Sequence, residues 1–214
     1  MTDRTRQTEP TATGPQLYLE TPAGADAAAF GPMLGDVLDR FPVACLRING
    51  AGDEAALGRL ADVCREAAHA RDVAVVIDDH LRLAQVHGLD GVHLTDGARG
   101  VRAARKELGA DGIVGAFCGG SRHDGMNAAE AGADYVAFGP VGDSGLGREG
   151  PIDPDLLAWW SEMIEVPVVA QGALTAELIR TLTPITDFIA IGPEIWAAPD
   201  PLEALAALWA AARP

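Results

Sequence analysis

The sequence has little positive charge: 16 lysines and arginines stand against 31 aspartates and glutamates, a formal net charge of −15. That balance argues against a nucleic acid or an anionic membrane as partner, because a polyanion would be repelled. A phosphorylated ligand then has to be held by a few local donors, a helix N-terminus or a bound cation working against the overall field. Cysteine is also scarce. Cys45, Cys64 and Cys118 are an odd number, without CxxC spacing or a histidine at metal-finger distance, so reduced thiols are expected and a disulfide framework is not. No stretch reaches about 18 uninterrupted apolar residues, and the first fifteen residues lack the apolar segment of a secretory signal. The expectation is a soluble, cytoplasmic protein.

What is present is apolar surface and regular punctuation. Apolar residues make up 48% of 214, enough for a sizeable core, and at roughly 150 residues per domain the length favours one domain with a short extension. Residues 1–15, rich in threonine and proline, read as a flexible tail, and residues 16–214 as the folded domain. Within it eight short apolar runs, QLYLE, VACLRI, VAVVID, GVHLT, GIVGAFC, YVAFGPV, PVVAQG and DFIAIG, are each continuous rather than alternating, as strands buried on both faces require. Helical spacing is read over 26–40, 53–70, 81–87, 99–108, 124–131, 154–164, 175–182 and 200–212, with Asp53, Asp124, Asp153, Thr175 and Asp200 as N-caps. Gly88-Leu-Asp-Gly-Val, Gly109-Ala-Asp-Gly-Ile and Gly132-Ala-Asp-Tyr-Val repeat one joint: a helix ending on a left-handed glycine, an aspartate in the turn, then a strand. Eight such units in about 200 residues predict an α/β fold, a single-domain (β/α)8 TIM barrel; no GxGxxG follows the first strand to support a dinucleotide fold.

Barrels of this kind carry their chemistry at the C-terminal ends of the strands. The rule selects Arg47 and Asn49 after the second run, Asp78 and Asp79 after the third, His93, Thr95 and Asp96 at the fourth, and Cys118 to His123 after the fifth. Arg47 stands in an apolar strand, with Cys45 on the same face two residues earlier; it either contacts an anionic ligand or pairs internally with a barrel-end aspartate. Asp78-Asp79 offers hard oxygen ligands for Mg2+, or else a helix cap beside a solvated acid. His93, flanked by apolar residues, reads as a satisfied core histidine. The glycine-rich stretch 142–150 reads as a lid from which Arg148 reaches over an anion or points into solvent. Gly172 and Gly192 are placed to offer N–H groups to a phosphate, although Pro193 has no N–H and Glu194 beside it opposes an anion. Trp159 and Trp160 cannot both face inward on one helix; the one left partly exposed is compatible with a homo-oligomer contact.

The segments Val76-Ile77-Asp78-Asp79, Leu83-Ala84, Gly91-Val92-His93-Leu94, Gly132-Ala133-Asp134-Tyr135-Val136-Ala137-Phe138-Gly139-Pro140-Val141 and Pro167-Val168-Val169-Ala170, in this order, resemble the thiamine phosphate synthase superfamily, which includes thiazole tautomerase. The resemblance implies a transferase that joins a hydroxymethylpyrimidine pyrophosphate to a thiazole phosphate, with Mg2+ as cofactor and pyrophosphate released. It implies Arg47 as a phosphate contact and Asp79 as a metal ligand, with Asp96 close to the place of a second. Cys45, Asn49 and Asp78 stand where the family has Gln, Lys and Asn, and Arg148 is the substitute for a lysine of its pyrophosphate loop. Cys118, Gly172 and Gly192 complete the expected substrate contacts. Two other readings remain open: a tautomerase-like isomerase using His123 after the fifth strand, and a non-catalytic paralogue that binds a small phosphorylated heterocycle.

Overall fold

The computed structural model describes residues 14–143 and 150–213. Most of the expected N-terminal tail, Arg148 and most of the expected lid lie outside the described residues. Eight strands, β1 Gln16–Glu20, β2 Val43–Ile48, β3 Ala74–Asp78, β4 Gly91–Leu94, β5 Ile113–Phe117, β6 Tyr135–Phe138, β7 Val168–Gln171 and β8 Phe188–Ile191, form a closed barrel in sequence order. Every neighbouring pair is parallel, and β8 closes on β1. The helices between them are α1 Ala27–Arg40, α2 Glu54–His69, α3 Leu81–His87, α4 Val101–Leu108, α5 Arg122–Ala131, α6 Pro154–Met163 and α7 Ala176–Leu182, followed after β8 by α8 Pro193–Trp196 and α9 Pro201–Trp209. No helix among the described residues is long and apolar enough to cross a membrane.

The strands are apolar throughout because both faces are covered. Outward-facing Leu17, Leu46, Val75, Val92, Val114, Val136, Val168 and Ile189 pack with the buried faces of the helices. Inward-facing Tyr18, Cys45, Val76, Tyr135, Ala137, Val169 and Ala190 fill the barrel interior. The interior layers need small residues opposite large ones. A Cβ at Gly115 would lie 2.0 Å from Tyr135 Cζ, so glycine there is what admits the tyrosine ring.

Asp53, Asp153, Thr175 and Asp200 cap their helices as expected. Asp124 does not. Ser121 is the cap of α5, its hydroxyl accepting the Asp124 N–H at 3.1 Å, so the helix starts earlier than its apolar spacing suggests. Of the three repeated joints, Gly88 and Gly132 adopt the left-handed conformation, whereas Gly109 has a positive φ of 75° but an extended ψ. Two of their aspartates tie strands together at the barrel floor: Asp90 accepts the N–H of Val75, and Asp134 that of Val114. Asp187 does the same for Val168 without belonging to the repeat. Helix α8 was not read from the sequence, since four residues are too few to show a period.

Trp160 is fully buried and donates its indole N–H to Val166 O at 2.7 Å. Its neighbour Trp159 turns outward, and the Arg122 guanidinium covers its ring at 4.1 Å, so that ring already has a partner within the chain.

Candidate active site

Arg47 projects from β2 into the top of the barrel interior and is only 6% exposed. Its Nη2 lies 2.8 Å from Glu20 Oε2 and its Nε 3.2 Å from Asp78 Oδ1, although Nε and Oδ1 are not aligned for a hydrogen bond. Nη1 donates to Gln171 Oε1 at 2.9 Å. Burial opposes the charge on Arg47, but the Asp78 and Glu20 carboxylates beside it outweigh burial and hold the guanidinium protonated. The internal pairing is therefore the arrangement found, made with two carboxylates rather than one. Register explains this: Glu20 lies beside Arg47 across β1–β2, and Asp78 ends the next strand.

A polar column runs inward from Arg47. His93 Nε2 lies 3.3 Å from Arg47 Nη1, His93 Nδ1 is 2.9 Å from Tyr135 Oη, and Tyr135 Oη is 2.7 Å from Tyr18 Oη. The guanidinium can only donate, which makes Nε2 the acceptor and places the imidazole proton on Nδ1, from which it is donated to Tyr135. Burial, with Arg47 beside it, pushes the His93 pKa well below its usual range, and burial raises both phenols. His93 is thus a neutral core histidine. Cys45 belongs to this interior, beneath Arg47 and beside a cavity of about 270 Å³ at the barrel floor, not at the mouth where a substrate contact was expected.

Asn49 also differs from expectation. Its Nδ2 donates to Glu20 Oε1 at 3.3 Å while its Oδ1 accepts the Ala51 N–H at 3.0 Å, so it orients the carboxylate that holds Arg47. Asp78 is buried, and desolvation lifts its pKa to about 6, with Glu20 and Asp79 adding to the rise and Arg47 and the Gly50 N–H opposing it.

The open chemistry lies on the neighbouring loops. Asp79, exposed and at φ +53°, accepts the Thr95 N–H at 2.9 Å and the Thr95 hydroxyl. Thr95 and Asp96 enter the wall of a cavity of about 480 Å³ between the loops after β4 and β5, together with Cys118, Gly119, Ser121 and Asp124. Asp96 pairs with Arg99 at 2.6 Å. Cys118 is buried with its thiol pushed up to about 12, mainly by burial, so its wall contribution is a neutral S–H. His123, expected at the site by the isomerase reading, is exposed on the first turn of α5 and is not part of that wall.

No group of three or more His, Cys, Asp or Glu among the described residues comes together as a metal cage. Mg2+ does not require one: it takes one or two carboxylates and completes its shell with water and substrate phosphate. Asp79 and Asp96, hard oxygen donors on adjacent exposed loops, fit that need, and the two hydrogen bonds from Thr95 leave Asp79 with lone pairs to spare.

The loops after β7 and β8 hold a feature the glycines alone did not disclose. Gly172, at φ +89°, turns its carbonyl to the N–H groups of Val141 and Gly142, clamping the loop after β6. The N–H that converges with that of Gly192 is Leu174's, and both go to Glu194, Leu174 at 3.1 Å and Gly192 at 3.0 Å. Reading from the sequence missed Leu174 and Glu20. Glu20 was findable, since it ends the first run where the strand-end rule applies.

The family model described as thiamine monophosphate synthase matches residues 17–193. A thiamine-phosphate synthase of Rhodospirillum centenum is 45% identical over 185 residues, spanning 85% of this chain and 89% of that one. Another from Erythrobacter litoralis is 38% identical over 154 residues, spanning 70% of this chain and 72% of that one. Among solved structures, thiamine phosphate pyrophosphorylase from Pyrococcus furiosus superposes with a TM-score of 0.78 at 21% identity, covering 92% of this chain and 95% of that one. With a barrel of matching topology and relatives this similar along most of their length, the chain belongs to the thiamine monophosphate synthase family.

Proposed function

We propose that this protein is a thiamine-phosphate synthase: it joins a hydroxymethylpyrimidine pyrophosphate to a thiazole phosphate at the C-terminal mouth of the barrel. The C–O bond to pyrophosphate breaks, the thiazole nitrogen attacks the freed methylene carbon, and inorganic pyrophosphate leaves. No protein nucleophile enters this balance, in keeping with a Cys118 thiol that stays protonated at neutral pH. The observation that carries the reading is the 480 Å³ cavity between the loops after β4 and β5, with Asp79 fixed by Thr95 at its edge, in a chain of this family.

Asp79 and Asp96 would hold Mg2+, which when bound supplies positive charge for the leaving pyrophosphate. Among the described residues, Arg47 is committed to Glu20 and Asp78, and Arg99 is paired with Asp96. Arg47 acts as a positioning residue that sets Glu20, Asp78 and Gln171 around the floor of the mouth. Asp79→Asn is expected to lower kcat/KM for the pyrimidine pyrophosphate at least about tenfold, with part of the loss recovered at higher Mg2+. An unchanged Mg2+ dependence in that variant would remove Asp79 from the site.

A further inference from the structure

The loops after β7 and β8, together with a short extra helix, are where barrels of this architecture commonly hold a phosphate, because backbone N–H groups converge there. In this chain the donors are present and already engaged. Glu194 Oε1 accepts the Leu174 N–H at 3.1 Å, and Oε2 accepts the Gly192 N–H at 3.0 Å, so a single carboxylate bridges the two loops as a phosphate would. The frame around it is fixed. A Cβ on Gly192 would come within 2.7 Å of Glu20 Cβ, and Trp196 at the end of α8 donates its indole N–H to Glu20 O at 2.6 Å. Glu20 is in turn held by Arg47 and Asn49. The donors are thus preorganised, and what occupies them is an internal anion.

We propose that Glu194 is a specificity-determining residue of the ligand site: its carboxylate competes with a ligand phosphate for the Leu174 and Gly192 N–H groups. A phosphate can enter only by displacing Glu194, whereas the same heterocycle ending in a neutral hydroxyl needs no displacement. The cradle therefore discriminates weakly in favour of phosphate, and removing the carboxylate restores that preference. The identity of the heterocycle rests on the function proposed above; the competition for the cradle does not.

Inorganic phosphate is the direct probe, titrated by calorimetry into the wild type, Glu194→Ala and Glu194→Gln. Both variants are expected to bind phosphate about tenfold or more tightly than the wild type, with Glu194→Gln keeping an acceptor oxygen for the loop in case the alanine variant does not fold. In turnover, KM for the thiazole phosphate relative to the matching thiazole alcohol falls in both variants. Phosphate binding no tighter in a folded Glu194→Gln than in the wild type overturns the proposal. Tighter phosphate binding without pyrophosphate release from either acceptor upholds the competition and refutes the synthase reading instead.

Discussion

Asp78→Asn is expected to stabilise this protein at neutral pH. The buried cluster contains one guanidinium, Arg47, and two carboxylates, Glu20 and Asp78, so it carries a net charge of −1 when all three are ionised. Burial is the largest cause that lifts the Asp78 carboxyl from 3.8 to about 6. The native state then holds this proton more tightly than the unfolded chain, and stability rises as the pH falls from about 6 towards 4. At pH 7.5 the ionised group costs about 3 kcal/mol, at about 1.4 kcal/mol per pH unit between the two values. Asparagine removes that cost, which is already net of the attraction to Arg47, and leaves Arg47 with Glu20 at 2.8 Å and Gln171 at 2.9 Å. The balance is a gain of about 1–3 kcal/mol at pH 7.5 that roughly halves by pH 5. Urea denaturation of both proteins at the two pH values reads it directly. A variant less stable than the wild type at pH 7.5 would mean that pairing with Arg47, not desolvation, governs this carboxylate.

Other parts of the structure are open to equally simple tests. Tyr135→Phe strands the His93 Nδ1–H and removes the hydroxyl that Tyr18 pairs with, which is expected to cost about 1–3 kcal/mol by denaturant titration; a neutral result would deny the column its hydrogen bonds. Gly125→Ala places a Cβ 2.7 Å from both Phe138 Cζ and Trp160 Cζ3, so it should destabilise by about 1–3 kcal/mol and alter Trp160 fluorescence. All three cysteines are buried with thiols pushed up to about 12, so native protein should resist iodoacetamide at pH 8 while urea-unfolded protein labels fully, as read by mass spectrometry. Rapid native labelling of Cys118 would place it in a more open wall than the structure has.

The barrel was legible because its physics is written along the chain. Strands covered on both faces, such as Val43–Ile48 and Tyr135–Phe138, appear as continuous apolar runs, and capping residues such as Asp53 and Thr175 announce the helices between them. The same double burial hid the interior. When both faces of a strand are apolar, alternation no longer tells which side chains point inward, so Tyr18 and Tyr135 gave no sign of meeting, and Cys45 was placed at the mouth although it lies below Arg47. Arg47 announced itself by its cost of burial, but its partners come from separate strands, and only barrel closure sets Glu20, Asp78 and Gln171 around it. The engagement of Glu194 with Leu174 and Gly192 joins two loops 20 residues apart in sequence, which no local pattern encodes.

The central claim is tested most directly by incubating the purified protein with hydroxymethylpyrimidine pyrophosphate, the thiazole phosphate and Mg2+, and measuring pyrophosphate and the coupled product by mass spectrometry. The account predicts one pyrophosphate released per coupled product, with no release when the thiazole is omitted and none after chelation of Mg2+. No coupled product from the folded protein with both precursors and Mg2+ would contradict it.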